Sequence, residues 1–76
     1  MIFFVIYNFG GVIMTFSEKV VYVRIKLLLT QAQLAKELGV SVVTIARWEK
    51  QNRKPQIVQY GKFLQYCEKH NIKFED

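Results

Sequence analysis

Leu34, Ala35 and Leu38 stand three and four residues apart among polar neighbours, the spacing of one face of a helix. Thr30 precedes this run and Gln33 follows three residues later, a pairing that predicts a capping box opening a helix just after Thr30. Gly39 comes directly after Leu38, where a chain leaving a helix commonly needs a positive φ that a Cβ would oppose. Ser41 offers a second N-cap after one residue of turn, and Ile45 and Trp48 then repeat at helical spacing. Gln31 to Lys50 therefore predicts two short helices joined by a tight turn and packed through their apolar faces. The rest of the chain reads as support for this unit.

Upstream, Thr15 and Glu18 form a second capping-box pattern, opening a helix that runs to about Leu28. Val20, Val23 and Leu27 make its inner stripe, with Lys19 and Lys26 placed off it. Downstream, Pro55 suits the first turn of a further helix, where its missing N–H costs nothing. Ile57, Tyr60, Phe63 or Leu64, and Cys67 recur at helical spacing and are expected to cover the open side of the hairpin. Gly61 interrupts that helix and predicts close approach by another one. Tyr60, Phe63, Tyr66 and Phe74 exceed what one small core needs, so some are expected to face a second subunit.

Charge sharpens the picture. The formal net charge is +5 on 76 residues, yet residues 1–16 carry no charged side chain. Arg47, Lys50, Arg53 and Lys54 place four cations against Glu49 alone within eight residues, at the exit of the second hairpin helix. A basic cluster alone is often a solvated face; beside a helical hairpin it becomes an expected phosphate footprint. One cysteine excludes an internal disulfide, and Cys67 with the lone His70 makes no credible metal site, so Cys67 reads as a small buried hydrophobe. His70 reads as a solvated residue favoured by the end of its helix dipole. The sequence shows no phosphate loop, metal cluster or nucleophile beside a base, so neither catalysis nor a cofactor is expected.

The first stretch, MIFFVIYNFGGVI, is apolar and broken by Gly10-Gly11. It lacks the basic start and small-residue cleavage site of a signal peptide, and it is shorter than the roughly 20 residues that span a bilayer. Three readings stay open: an arm or strand packing on this or another subunit, a flexible tail, or an upstream extension with the true start at Met14. The expected organisation is an N-terminal arm or extension over 1–14, one domain over 15–72 with its motif at 31–50, and a tail over 73–76. That tail is too short for an effector domain, so no ligand-sensing module is expected.

The hairpin and its flanks resemble the Cro/C1-type helix-turn-helix proteins, the XRE family. The resemblance is carried by Ala35 where the helices cross, by Gly39, and by Leu34, Leu38, Val40, Ile45 and Trp48 on the inner faces. Arg24, Leu29-Thr30-Gln31, Trp48-Glu49-Lys50 and Arg53-Lys54-Pro55 agree in the flanks, and the likeness extends over Glu18 to Cys67. It implies an all-α, compact, lambda-repressor-like domain of four to five helices. It also implies a structural ion pair between Arg24 and Glu49. Two positions depart from the pattern: Leu28 and Gln51 stand where glycine commonly closes the first and third helices.

By this resemblance the second hairpin helix enters the DNA major groove, with Val42, Val43 and Arg47 facing the bases and Thr44 flanking them. Arg47 suits a bidentate bond to guanine O6 and N7, whereas the two valines only contact thymine methyl groups or exclude water. Gln31 matches a phosphate-clamping position, and Ser41, Lys50, Asn52, Arg53 and Lys54 are the other phosphate candidates. For Gln31 and Ser41, helix capping is the competing role; for Arg53 and Lys54, a solvated loop. One domain reads few base pairs, so a homodimer on half-sites one helical turn apart is implied by the task. The expected function is a small transcriptional regulator, a repressor binding double-stranded DNA without membrane attachment, in a bacterial or phage cytoplasmic setting. The alternative is a protein-interaction module: an antitoxin paired with a toxin, or an adaptor using the valine-bearing helix.

Overall fold

A computed structural model describes residues 14–51 and 55–74. Four helices and no strand occupy them: α1 (Phe16–Leu27), α2 (Gln31–Leu38), α3 (Val42–Lys50) and α4 (Ile57–Lys69). The readings placed on Met1–Ile13 and on Asn52–Lys54 lie outside the described residues.

Three helix starts are set by their N-caps. Thr15 accepts from the Glu18 N–H while the Glu18 carboxylate accepts from the Thr15 N–H, and Thr30 and Gln33 form the same reciprocal pair. Ser41 accepts from the Thr44 N–H. Each arrangement satisfies N–H groups that the first turn of a helix leaves without internal partners.

Three helix ends share one hydrogen-bond pattern around a left-handed residue: Leu28 after α1, Gly39 after α2 and Asn71 after α4. At the end of α2, Gly39 has φ 70°, its N–H reaches the Lys36 carbonyl, and the Val40 N–H reaches the Ala35 carbonyl. At the end of α1, Leu28 has φ 57°, its N–H reaches the Ile25 carbonyl, and the Leu29 N–H reaches the Arg24 carbonyl. These are the paired bonds of a left-handed helix terminus, which glycine adopts without strain and leucine does not. The first turn carries an additional brace: Arg24 Nη1 donates to the Leu29 carbonyl at 3.2 Å.

α3 ends differently. Gln51 is extended, with φ −102° and ψ 128°, so no left-handed residue is needed there. The Ser17 hydroxyl instead lies 2.5 Å from the Trp48 carbonyl and 2.8 Å from the Gln51 carbonyl, supplying from α1 a proton that the open end of α3 lacks.

α3 packs against both α1 and α2, and α4 closes the remaining side. Val20, Val23, Leu34, Ile45 and Phe63 are fully buried. Phe16 is the aromatic centre, edge-on to Trp48, Tyr60 and Phe63 at centroid distances of 5.3, 5.7 and 5.1 Å.

The α4 side departs from the sequence reading at several points. Pro55 stands one residue before the N-cap Gln56, outside the helix. The buried face of α4 is Phe63, Tyr66 and Cys67, with Tyr60 half-buried, whereas Ile57 is 85% exposed and Leu64 faces outward. Tyr60, Phe63, Tyr66 and Phe74 all join or border this chain's own core. A Cβ at Gly61 would meet nothing within 4 Å, so no neighbouring helix among the described residues explains the glycine. Lys19 is buried, its Nζ 5.1 Å from the centre of the Phe74 ring, because a lysine stem covers apolar surface well. His70 is half-buried rather than solvated: it caps α4, its ring lies 4.4 Å from that of Tyr66, and its Nε2 is buried without a hydrogen-bond partner among the described residues.

Candidate nucleic-acid interface

The α2–α3 hairpin presents one helix to solvent on a firm base. Ile45 and Trp48 anchor the inner side of α3, at 0% and 6% exposure, against Leu34, Ala35 and Leu38 of α2 and Val20 and Val23 of α1. The outer side carries Val42, Val43, Arg47 and Lys50, all exposed. Val43, Arg47 and Lys50 follow one another at four and three residues, so they form a single strip along the helix.

Glu49 lies between the two sides and fixes the angle of α3. Arg24 donates to it through Nε at 2.6 Å and through Nη2 at 3.0 Å, a two-pronged pair linking α1 to α3. Gln31 Nε2 donates to the same carboxylate at 2.9 Å, adding α2 to the junction. The hydrogen bond to Glu49 raises the Arg24 pKa above its ordinary value, so the guanidinium stays charged at every working pH. Three helices thus meet at one carboxylate, and the single acid in the basic cluster is occupied by donors on the side away from α3's exposed strip.

The Gln31–Glu49 bond joins residues 18 apart and was not apparent in the sequence, where Gln31 suggested only a cap or a phosphate clamp. The contact of Ser17 with the end of α3 was equally hidden, since a serine in a first turn carries no signal for a carbonyl more than 30 residues away. The Ser41 cap did carry a signal, and its hydroxyl also lies 2.9 Å from that of Thr44 at the start of α3.

The structure therefore brings Val42, Val43, Arg47 and Lys50 onto one exposed surface, with Thr44 half-buried beside them and Ser41 at its edge. Gln31 sits half-buried at the first position of α2, its amide turned to Glu49. Asn52, Arg53 and Lys54 are outside the described residues. A polar cleft of about 400 Å³ between α3 and α4 is lined by Thr44, Arg47, Gln51, Gln56 and Gln59, extending the polar surface beyond α3. Among the described residues no group of His, Cys, Asp and Glu is placed to hold a metal ion, and no helix is long and apolar enough to cross a membrane.

No curated protein and no solved structure matches the chain. A family model described as helix-turn-helix matches residues 21–69, from the middle of α1 to the end of α4 and more than half of the chain. The match takes in the second half of α1, the whole of α2 to α4, the Gly39 turn and the exposed strip of α3, and the chain belongs to the Cro/C1-type (XRE) helix-turn-helix family of DNA-binding transcriptional regulators.

Proposed function

We propose that the protein is a sequence-specific repressor that occludes a promoter as a homodimer, with α3 inserted in the major groove of each half-site. The observation that carries this reading is the exposed Val43–Arg47–Lys50 strip on a helix whose opposite side is fully committed to the core. A B-form major groove admits one α-helix, and Arg47 has the fork geometry that guanine O6 and N7 accept. Lys50, with Ser41, Gln31, Asn52, Arg53 and Lys54, supplies phosphate contacts on either side. Gln31 uses one amide hydrogen on Glu49 and keeps a second for a phosphate oxygen. Two domains on adjacent half-sites supply the affinity that one short reading helix lacks.

The test is equilibrium binding to a duplex from the region upstream of the gene and to a scrambled duplex, across a salt series, with the mass of the complex measured alongside. The reading predicts tighter binding to the upstream duplex, two chains per duplex, and a steep fall of log affinity with log salt for both. Absence of binding to either duplex at low salt contradicts it.

A second reading, an antitoxin or adaptor, is favoured by one observation: Val42 and Val43 remain 45% and 56% exposed on the presented helix. It predicts capture of a co-encoded protein that depends on the valines and not on Arg47.

A further inference from the structure

The first two positions of α3 offer no hydrogen-bonding side chain. Just before them, the Ser41 hydroxyl accepts from the Thr44 N–H at 3.1 Å and lies 2.9 Å from the Thr44 hydroxyl, so one of the two hydroxyls donates to the other and the second keeps its proton. The first two residues of the helix are Val42 and Val43, whose side chains make no hydrogen bonds and remain half in water. The N-terminal end of a reading helix lies nearest the bases. In this protein that end presents two isopropyl groups, while the cations Arg47 and Lys50 follow one and two turns later. The occupant of this apolar patch must therefore carry anionic flanks for the cations and a methyl-sized apolar group for the valines. A duplex major groove offers one such group: the methyl on C5 of a pyrimidine.

We infer that α3 reads the C5 methyl group itself, so that 5-methylcytosine is accepted at the valine-facing positions where thymine is accepted, and binding responds to cytosine methylation. This rests on the DNA-reading function proposed above and deepens it. Thymine and 5-methylcytosine place the same methyl at the same point in the groove, and they differ at the exocyclic group on C4, oxygen in one and NH₂ in the other. Hydrogen-bonding side chains distinguish those two groups, and valine does not. Cytosine lacks the methyl and leaves the valines against water. Enclosing one methyl group corresponds to roughly a fourfold change in affinity.

The experiment uses the full chain and a random-sequence duplex pool, from which the tightest-binding duplex is enriched and resynthesised. Each thymine is replaced singly by uracil, which removes only the methyl. Where that replacement weakens binding, the pair is exchanged for cytosine–guanine and for 5-methylcytosine–guanine. The expected result is a loss of about fourfold per critical methyl with uracil, and binding about fourfold tighter for 5-methylcytosine than for cytosine at the same position. In the double variant Val42→Ala/Val43→Ala both ratios approach one, while its melting temperature stays near that of the parent because both sites are exposed. Tight binding that no uracil substitution alters overturns the inference, as do ratios that persist in the double variant. If no duplex is enriched over the pool, the DNA-reading function itself fails, and the methyl inference with it, before any methyl comparison is made.

Discussion

The two sides of α3 are made of similar material and put to different uses. Ile45 on the inner side and Val43 on the outer are both β-branched aliphatic residues two positions apart, yet one is fully buried and the other 56% exposed. The inner side is held by Ile45, Trp48 and the Glu49 junction, so the helix cannot rotate or slide without breaking three helix contacts at once. The outer side makes almost no demand on stability. A helix arranged this way can change its outward side chains without changing whether the domain folds, and the prediction is that stability and DNA affinity separate by side.

Ile45→Ala tests the inner side most severely. It empties a fully buried site and should destabilise the domain by about 2–5 kcal/mol, measured by denaturant unfolding. In a domain of this size that loss approaches total stability, so a cost below 1 kcal/mol would show that α3 is not anchored as described. Arg47→Ala should do the reverse, costing roughly 1–3 kcal/mol of discrimination for the preferred duplex while unfolding shifts by no more than about 0.5 kcal/mol.

The turns that aim α3 give smaller effects of opposite sign. Leu28→Gly relieves a left-handed leucine that is 89% exposed, and should stabilise by on the order of 1 kcal/mol in thermal melting. Gly39→Ala should destabilise by about the same amount, purely through backbone strain, since a Cβ there meets nothing within 4 Å. If both changes were neutral, the shared hydrogen-bond pattern of the two turns would not reflect a shared strain.

The smallest effect concerns the core beneath the hairpin. Burial pushes the Cys67 thiol from 9.0 up to about 11. The folded state thus holds its proton to higher pH than the unfolded state does. The resulting stability is fully present below about pH 9 and is lost as pH rises towards 11. The phenols of Tyr22 and Tyr66 are raised by burial too and act in the same direction. Cys67→Ala should therefore make the fall in unfolding midpoint between pH 9 and 11 shallower without abolishing it. An unchanged slope would mean that the thiol is not buried.

The fold was legible wherever the signal is local. Both capping boxes, the Ser41 cap and the Gly39 turn are set by residues no more than five apart, and the apolar spacing of α1 to α3 selects the residues that become the core. Legibility failed where the deciding partner is distant in sequence. Lys19 falls off the helical stripe of α1, but it is buried with its ammonium over the Phe74 ring; Ile57 falls on the stripe of α4, but the helix starts there and no described residue covers it. Of the interface, the outward strip on α3 was readable from periodicity and family resemblance together. The Gln31–Glu49 bond and the Ser17 contact were not, because amides and hydroxyls carry no spacing rule across separate helices.

Base reading by the outer side of α3 is tested by comparing the parent and Arg47→Ala on the upstream and scrambled duplexes across one salt series. If α3 reads bases through Arg47, the substitution removes the preference for the upstream duplex while the salt slope stays nearly the same, because a base contact is lost and the phosphate contacts remain. A preference that survives Arg47→Ala intact would contradict it.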